Sequence, residues 1–281
     1  VMHTDSTKLE ATADRYAVIG HPVSHSKSPV IHQLFAEQTG QNILYSAMDV
    51  EPEALETTIR DFFADGGRGL NVTVPHKTEV MRLMDSLTPQ AKLAGAVNTI
   101  SKLKDGTLEG DNTDGIGLIT DLRDNLKFEL MDSSILILGA GGASRGILPP
   151  LLEQIPAEIV IANRTLETAR GLANAFADLG NLDACSFDDL EGRRFHIIIN
   201  ATSAGLHGEI PPFPPSIIGP DTVCYDLSYS MRDTPFVSWA KRHGCKRAYQ
   251  GWGMLVEQAA ESFAIWRGVR PDTSIVRKQL P

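Results

Sequence analysis

The stretch from Ile135 to Gly146, ILILGAGGASRG, joins an apolar run to a glycine turn and the start of a helical pattern. The apolar run is typical of a parallel strand covered on both faces. Gly139 allows a tight turn, Gly141 lets the backbone approach a pyrophosphate, and the small Ser144 takes the third position of a G-x-G-x-x-G fingerprint. A plain glycine turn is the alternative, but the strand, turn, helix and strand in succession favour a dinucleotide site, with an anion bound at the helix start. The predicted site comprises Gly139, Ala140, Gly141, Gly142, Ala143 and Ser144.

The next predicted strand, EIVIAN, ends at a position that bears on the type of dinucleotide. NAD-binding units usually place an Asp or Glu there, whereas this chain has Asn163, Arg164 and Thr165. A carboxylate would repel a 2'-phosphate, but Arg164 can form a bidentate pair with it and Thr165 can donate its hydroxyl. The sequence therefore favours NADP over NAD, although an exposed arginine in a loop needs no ligand.

Short apolar runs alternate with helical patterns along the chain, which predicts βαβ units. In the first half, RYAVIG, ILYSAMDV and GLNVTV are predicted strands, and SPVIHQLFAEQTG and PEALETTIRDFFADGG are predicted helices. Ser28 is the expected N-cap of the first helix, with Pro29 in its first turn and Gly40 just past its end. The series containing the glycine turn continues through RFHIIINAT and DTVCYDLSY, and Pro149 and Pro150 are expected to kink or divide its first helix. The final pattern, MLVEQAAESFAIWRG, predicts an amphipathic helix.

Composition argues against several classes of protein. The 281 residues include 26 Lys and Arg against 35 Asp and Glu, a net charge of -9, which disfavours nucleic acid or an anionic membrane as a partner. Cys185, Cys224 and Cys245 are widely spaced and form neither a zinc-binding pattern nor a disulfide framework, so a reducing compartment is expected. The segment VMHTDSTKLEATADRY is polar, and no stretch approaches the roughly 20 apolar residues of a membrane span. We therefore expect a cytoplasmic protein.

Several polar residues lie at the ends of predicted strands or in turns. Because ligands bind at the carboxyl ends of the strands of an open parallel sheet, we expect these side chains to converge in one cleft. Hydroxyls, amides and a lysine with an aspartate suit a small polyhydroxylated substrate. Each residue also has a plain structural reading, as a helix cap, a turn residue or an exposed charge. They are Ser26, Ser28, Thr73, Lys77, Asn98 and Asp114.

His21, His25 and His32 lie close in the sequence and could be read as a metal site. Neither an acidic residue nor a cysteine lies at ligand spacing from them, so we predict no metal. His32 is expected to pack or to form a hydrogen bond. His76 adjoins Lys77 but would point to the other face of a continuing strand, so it receives no catalytic role.

Motifs spread over nearly the whole chain resemble the shikimate dehydrogenase family. In order they are GHPVSHSKSPVIH, NVTVPHK, GAVNT, GDNTDG, GAGGASRG, NRT, NATSAG, YDLSY, TPF and GWGMLVEQAA. The resemblance implies an NADP-dependent oxidoreductase that reversibly reduces 3-dehydroshikimate to shikimate, on the route to chorismate and the aromatic amino acids. It also implies a small-molecule partner and no metal.

The resemblance assigns roles to individual residues. Lys77 and Asp114 are the implied catalytic pair, which also contacts substrate, and Ser26 and Ser28 are implied to hold the substrate carboxylate. Implied contacts to the ring hydroxyls and the carboxylate are Thr73, Asn98, Tyr229 and Gln258. Besides the glycine turn, the implied cofactor residues are Asn163, Arg164, Thr165, Thr202, Leu227 and Gly251. Gln258 would reach the site only if the last long helix folds back onto the first domain.

The expected fold is α/β, with an N-terminal α/β substrate domain, a Rossmann-type doubly wound NADP-binding domain and a cleft between them. We place the substrate domain at residues 1–113 and 252–281 and the NADP-binding domain at residues 114–251. We expect a monomer or a homodimer.

Two departures from the family pattern and two alternatives remain open. Many members carry a second basic residue where this chain has Thr168, so contact with the 2'-phosphate would rest largely on Arg164. The segment YSMRDTPF lacks the proline that often follows the tyrosine in the family. A quinate/shikimate dehydrogenase using NAD or NADP is one alternative. A non-catalytic regulator that senses shikimate-like ligands and a dinucleotide is the other, although the retention of Lys77 and Asp114 disfavours it.

Overall fold

A computed structural model describes residues 13–202, 210 and 212–279 of the chain. Two compact units form within the described residues: unit 1 contains residues 13–114 and 256–279, and unit 2 contains those between Gly115 and Leu255. Residues 203–205 of the NATSAG motif lie outside the described residues. Asp114 groups with unit 1 and residues 252–255 with unit 2, the reverse of the boundaries placed from the sequence.

Unit 1 is built on a mixed six-stranded sheet with the order β2-β1-β3-β5-β6-β4. The neighbours β1, β2 and β3 are parallel, β5 runs antiparallel to both β3 and β6, and β4 runs parallel to β6. The elements are β1 (Asp14–Gly20), α1 (Ser28–Thr39), β2 (Ile43–Asp49), α2 (Leu55–Ala64), β3 (Gly67–Val72), β4 (Ser86–Leu87), α3 (Pro89–Ala94), β5 (Thr99–Lys102), β6 (Leu108–Asp111) and, near the C-terminus, α9 (Thr273–Arg277).

The β5–β6 hairpin decides which polar residues can meet. Asp105 accepts hydrogen bonds from the N–H and the hydroxyl of Thr107, and Gly106 supplies a positive φ of 90°, so the chain reverses tightly between the two strands. Because β5 runs antiparallel to β3, Asn98, the residue before β5, lies beside the end of β3, where the Val72 N–H donates to the Asn98 carbonyl at 2.8 Å. The pairing of β3 with β5 thus brings Asn98 to the edge of the sheet where β3 ends, and the hairpin returns the chain beside it at Asp111.

Unit 2 has a parallel six-stranded sheet with the order β12-β11-β10-β7-β8-β9, the strand order of a doubly wound dinucleotide-binding fold. The register aligns Leu138, Asn200, Asp226 and Gln250, so neighbouring strands end at one level. The predicted Rossmann-type fold is confirmed. The elements are α4 (Asp114–Thr120), a π-helical turn (Asp121–Asn125), β7 (Ser134–Leu138), α5 (Gly142–Leu152), β8 (Glu158–Ala162), α6 (Leu166–Ala175), β9 (Leu182–Cys185), β10 (Ile197–Asn200), β11 (Val223–Asp226), α7 (Pro235–Arg242), β12 (Arg247–Gln250) and α8 (Trp252–Arg267), of which Asp114 and residues 256–267 group with unit 1.

Strand β7 shows why its sequence is uninterruptedly apolar. Ile135 and Ile137 are buried in one hydrophobic cluster, which also contains residues of α5 and α6. Leu136 and Leu138 are buried in a second cluster with residues of α7. Side chains alternate across a strand, so a strand covered on both faces must be apolar at every position.

Three local expectations are corrected. Ser28 is the first residue of α1 rather than its N-cap, which is Lys27. The Ser28 N–H, at the start of the helix, is accepted by the Ser26 hydroxyl at 3.3 Å. Helix α5 runs from Gly142 to Leu152 through Pro149 and Pro150, so the prolines do not divide it, while the expected kink stays a prediction. Strand β3 ends at Val72, before the predicted end at Val74. Gly40 has the left-handed conformation expected just past α1.

Within the described residues, no helix is long and apolar enough to cross a membrane.

The first turn of α8, residues 252–255, is held by the buried carboxylate of Asp121. This contact explains why the turn groups with unit 2 although the rest of α8 belongs to unit 1. The Tyr225 hydroxyl donates to Asp121 at 2.7 Å and accepts the N–H of Met254 at 3.2 Å. Burial raises the pKa of Tyr225 well above its usual value. A Cβ atom on Gly253 would lie only 2.0 Å from an Asp121 carboxylate oxygen, so this position of the helix requires glycine.

Gly253→Ala should destabilise the protein, because the added methyl group collides with the buried Asp121 carboxylate. We expect a loss of about 1–3 kcal/mol in the free energy of unfolding, as for other overpacked sites. Gly171→Ala is the matched control within α6, since an added Cβ there meets no atom within 4 Å. That variant should be neutral or gain up to about 1 kcal/mol from helix propensity. Urea unfolding followed by circular dichroism measures both, and equal midpoints for the two variants would contradict the clash.

Candidate active site

Lys77 and Asp114 meet in unit 1. After β3 the chain turns, with the His76 N–H donating to the Thr73 carbonyl at 3.0 Å, and Lys77 follows this turn. Lys77 Nζ donates to Asp114 Oδ2 at 2.5 Å, and the two side chains are 29% and 20% exposed. A half-buried ammonium and carboxylate that remain reachable from solvent suit proton transfer to a bound ligand.

Asp114 is free to use both carboxylate oxygens because it does not cap its own helix. The Asn112 side-chain oxygen accepts the Asp114 N–H at 3.0 Å. Asp114 Oδ1 accepts from Asn98 Nδ2 at 3.0 Å, while Oδ2 faces Lys77. The interpretation of Asp114 as an N-cap is therefore wrong, since its side chain is directed to Lys77 and Asn98.

The side-chain amide of Asn98 is fully engaged. Its oxygen accepts from the Thr99 hydroxyl at 2.8 Å and from the Thr113 N–H at 2.9 Å. Its nitrogen donates towards Thr113 Oγ1 at 2.8 Å, Asp114 at 3.0 Å and Gln258 Oε1 at 3.2 Å. Three acceptors compete for two N–H hydrogens, so a bound hydroxyl can replace one of them.

Helix α8 brings Gln258 to this group of side chains. Besides the contact with Asn98, the Gln258 carbonyl accepts from the Thr113 hydroxyl at 3.0 Å. Residues 256–267 of α8, which include Gln258, belong to unit 1, as a role for Gln258 beside Asn98 requires.

Ser26 and Thr73 lie on two loops that leave the same edge of the sheet, and Ser28 begins α1 at the end of the first loop. Strands β1 and β3 are parallel neighbours, and the loops follow their last residues, Gly20 and Val72. The loops touch closely, because a Cβ on Gly20 would lie 2.4 Å from the methyl group of Thr73. The structure thus places Thr73 on a segment adjoining that of Ser26 and Ser28, the two serines predicted to bind a substrate carboxylate.

His21 has acidic neighbours that its sequence spacing did not suggest. Its ring bonds to Asp49 at 2.6 Å and lies 3.3 Å from Glu51. The hydrogen bond to Asp49, with the nearby charge of Glu51, raises the pKa of His21. In the part of the chain that the structure describes, no three side chains are grouped to hold a metal ion. His76 is buried, and its Nε2 bonds to the Val50 carbonyl at 2.7 Å.

His32 is a core residue of unit 1. It is 0% exposed and stacks on Tyr45 with the ring centroids 4.1 Å apart. Burial lowers the pKa of His32 to about 3, opposed by the Asn71 side chain. The ring is therefore neutral over the physiological range, as expected of a packed histidine.

The glycine turn in unit 2 fits a dinucleotide. Gly139 has a φ of 99°, and the Ser144 hydroxyl donates to its carbonyl at 2.7 Å, which fixes the turn to the helix. A Cβ on Gly141 or Gly142 would meet no atom within 4 Å, so the backbone is open on this side. Helix α5 begins at Gly142, and its first N–H groups lack intrahelical partners, as a pyrophosphate site requires.

The segment after β8 is open to a ligand. Asn163 Nδ2 donates to the Thr165 carbonyl at 3.0 Å and thereby closes the bend. Arg164, Thr165 and Thr168 are all exposed. Arg164 lies within this anchored bend, and an exposed arginine there can pair with a phosphate.

The remaining predicted cofactor residues follow β10, β11 and β12 at the same edge of the sheet. The Thr202 hydroxyl donates to the Asn200 side-chain oxygen at 2.7 Å, and the Leu227 N–H donates to the Asn200 carbonyl at 3.0 Å. A Cβ on Gly251 would lie 2.4 Å from the Leu227 carbonyl oxygen, so only glycine fits there. Tyr229, predicted to contact substrate, belongs to unit 2 and packs on Trp252 with centroids 4.5 Å apart.

Sequence reasoning missed the buried polar residues that support these loops. Asp226 is 0% exposed and accepts from the Thr234 hydroxyl at 2.6 Å, from Asn200 Nδ2 at 3.1 Å and from the Ser228 N–H at 3.0 Å. Burial raises the pKa of Asp226. An Asn or Asp that ends an otherwise apolar strand, as in HIIIN and VCYD, was the available signal.

Comparisons with known proteins agree with this geometry. Residues 18–100 match the shikimate dehydrogenase substrate binding domain, residues 122–207 the shikimate/quinate 5-dehydrogenase family, and residues 251–280 the shikimate 5'-dehydrogenase C-terminal domain. A shikimate dehydrogenase (NADP(+)) from Methylococcus capsulatus is 55% identical over 267 residues, which cover 95% of this chain and 96% of that protein.

Solved structures show the same similarity. The chain superposes on an Ael1 enzyme from Pseudomonas putida with a TM-score of 0.91 and 44% identity, covering 95% of this chain and 98% of that one. For the shikimate 5-dehydrogenase of Thermus thermophilus, in complex with NADP(H) and shikimate, the TM-score is 0.84 and the identity 33%, with coverage of 94% and 97%.

The buried His32 should make the folded protein acid-sensitive. The unfolded chain binds a proton at this histidine near pH 6.5, whereas the folded chain does not until about pH 3. The free energy of unfolding therefore falls as the pH drops through this window, by about 1.4 kcal/mol per pH unit from this residue. His32→Phe, which preserves a ring against Tyr45, should remove that part of the slope.

Urea unfolding between about pH 7 and pH 4 gives the slope for each variant. His25→Phe, at an exposed position, controls for the loss of one histidine. An unchanged slope in His32→Phe would show that His32 is not buried in its neutral form.

Proposed function

The chain belongs to the shikimate dehydrogenase family, and we propose that it is an NADP-dependent shikimate dehydrogenase that interconverts 3-dehydroshikimate and shikimate. The observation that carries this proposal is the contact of Lys77 with Asp114, held by Asn98, in the unit that matches the substrate binding domain. The glycine turn and Arg164 in unit 2 fit NADP. The sequence is 55% identical to an enzyme named for this reaction.

The bound nicotinamide supplies the hydride, so the residues of this chain must bind, orient and manage a proton. In the reductive direction, Lys77 as its ammonium stabilises the negative charge that develops on the C3 oxygen and donates a proton to it. Asp114 orients the ammonium through its 2.5 Å hydrogen bond and balances its charge. In the oxidative direction, Lys77 takes that proton back.

Substrate binding rests on the other polar residues of unit 1. Ser26 and Ser28 bind the carboxylate with their hydroxyls, and Thr73 on the adjoining loop contributes a third. Asn98 and Gln258 contact the ring hydroxyls, and the surplus of acceptors around the Asn98 amide lets it exchange one partner for substrate. The contact of Tyr229 with substrate stays a prediction from the resemblance.

We place the reaction in the biosynthesis of chorismate and the aromatic amino acids, in the cytoplasm, with the protein as a monomer or homodimer. Cys185, Cys224 and Cys245 are free thiols, which suits a reducing compartment. The net charge of -9 suits a small-molecule enzyme that does not bind nucleic acid.

One assay separates this function from its alternatives. The purified protein is incubated with shikimate or quinate, each with NADP or NAD, and the reduced cofactor is followed by absorbance. We expect shikimate with NADP to be the fastest combination. Faster turnover of quinate with NAD would identify a quinate dehydrogenase, and no turnover with any pair, despite ligand binding, would identify a sensor.

Lys77→Ala should lower kcat by about two or more orders of magnitude, as expected for loss of a general acid. Lys92→Ala is the matched control, because Lys92 is exposed on α3. Circular dichroism establishes that both variants fold, and steady-state kinetics measure kcat. Turnover of Lys77→Ala close to that of Lys92→Ala would remove Lys77 from the mechanism.

Arg164→Ala should raise the KM for NADP by roughly tenfold or more, because the charge-assisted pair with the 2'-phosphate is lost. The KM for NAD, which lacks this phosphate, should hardly change. Arg60→Ala, at an exposed arginine of unit 1, controls for the change in net charge. Equal changes in the two KM values would show that Arg164 does not distinguish the cofactors.

A further inference from the structure

Four buried polar side chains form a row behind the Lys77–Asp114 pair. Thr99 and Ser262 are 0% exposed, and Tyr45 and Asn71 are each 7% exposed. None of the four is among the residues proposed to bind substrate or cofactor. Burying hydroxyls and an amide costs free energy unless each is hydrogen bonded, so these side chains are held by the hydrogen bonds among them.

The first hydrogen bond of the row has one possible donor, the Tyr45 hydroxyl, because an amide oxygen can only accept. The Tyr45 hydroxyl donates to Asn71 Oδ1 at 2.7 Å. This contact sets the orientation of the amide, so that Asn71 Nδ2 faces the Asn98 carbonyl and Ser262 Oγ, both at 3.1 Å. Asn71 therefore receives a hydrogen bond from Tyr45 and passes one on to Ser262.

The number of hydroxyl hydrogens determines which atom donates in the next two hydrogen bonds, those of Thr99 with Asn98 and of Ser262 with Thr99. Asn98 Oδ1 carries no hydrogen, so the hydroxyl of Thr99 must donate to it across 2.8 Å. Thr99 has only that one hydrogen. Between Ser262 Oγ and Thr99 Oγ1, which lie 2.7 Å apart, Ser262 must therefore be the donor.

The chain of donors ends at a carboxylate. With its oxygen held by Thr99, the Asn98 amide directs Nδ2 to Asp114 Oδ1 at 3.0 Å, and Lys77 occupies Oδ2. Tyr45 is the first donor, and each group from Asn71 to Asn98 accepts on one side and donates on the other. Hydrogen bonds that run in one direction polarise one another and strengthen the last donor.

We propose that Thr99 is a positioning residue for the reaction, and that the donor chain Tyr45, Asn71, Ser262, Thr99 holds the Asn98 amide with its nitrogen towards Asp114. This inference rests on the proposed function. A rotated amide would turn its oxygen to the Asp114 carboxylate, and the repulsion would displace the oxygen that partners Lys77. Thr99 does not touch substrate, and it acts through Asn98.

Thr99→Val removes the hydroxyl while preserving the shape of the side chain. Asn98 Oδ1 then keeps only the N–H of Thr113, at 2.9 Å. The freed hydrogen of Ser262 can turn to the Gln258 carbonyl at 3.1 Å, so few buried groups lose all their partners. The variant should therefore fold and still hold the Asn98 amide less firmly.

Steady-state kinetics with shikimate and NADP test the proposal. Thr99→Val should lower kcat by about tenfold, the scale of one hydrogen bond to a charged group, and change either KM by less than about threefold. Thr99→Ser, which restores the hydroxyl, should recover kcat to within about twofold of wild type. Thr222→Val is the matched control, since the hydroxyl of this buried residue of unit 2 donates to the Phe195 carbonyl at 2.8 Å. It should leave kcat unchanged.

A double-mutant cycle excludes a merely structural effect. In an Asn98→Ala background the amide that Thr99 orients is absent, so adding Thr99→Val should lower kcat no further. Losses that add in full, failure of Thr99→Ser to restore kcat, or wild-type kcat in Thr99→Val would overturn the proposal. Ser262→Ala, which removes the preceding donor, should lower kcat in the same direction and serves if Thr99→Val does not fold. If the wild-type protein itself shows no shikimate-dependent reduction of NADP, the proposed function fails instead.

Discussion

The half-buried carboxylate of Asp114 constrains the whole of unit 1. A charge withdrawn from water must be paired and hydrogen bonded, and here an ammonium takes one oxygen and an amide takes the other. The three groups come from separate segments: the turn after β3, the residue before β5 and the start of α4. Antiparallel pairing of β3 with β5 is what brings these segments together. The mixed sheet is therefore a requirement of the site.

Unit 2 solves a similar problem with a parallel sheet. Its strands end at one level, so the loops after them share one edge without a reversal of the chain. Buried polar side chains then fix the loops, with Asn200 binding both Thr202 and Leu227, and Asp226 binding Asn200. In both units, the residues proposed to bind a ligand are held in place by buried residues with no proposed ligand contact. Rigid support of this kind keeps reacting groups within the small tolerance that catalysis allows.

In unit 2 the sequence predicted the four central strands and missed the two edge strands, for a physical reason. Strands such as β7 and β10 are covered on both faces and must be apolar, so their runs are conspicuous. Strands β9 and β12 lie at the edges of their sheet, are partly exposed and include polar residues, so LDAC and RAYQ carry no such signal. The contact of Lys77 with Asp114 spans 37 positions in the chain and depends on the β5–β6 hairpin. Motif resemblance could name the two residues, but only the sheet topology brings them together.

The two sites differ in how far their residues are bound to the fold, and this sets how each could change. Asn98 has partners on both ends of its amide, and the residues behind it are buried, so a substitution there disturbs several hydrogen bonds at once. Arg164, Thr165 and Thr168 are exposed beyond the end of a strand. Exposed positions generally tolerate substitution at little cost in stability. If the proposed roles hold, the preference for a 2'-phosphate can shift through a few surface substitutions, whereas the proposed proton-transfer pair can change only together with the network that holds it.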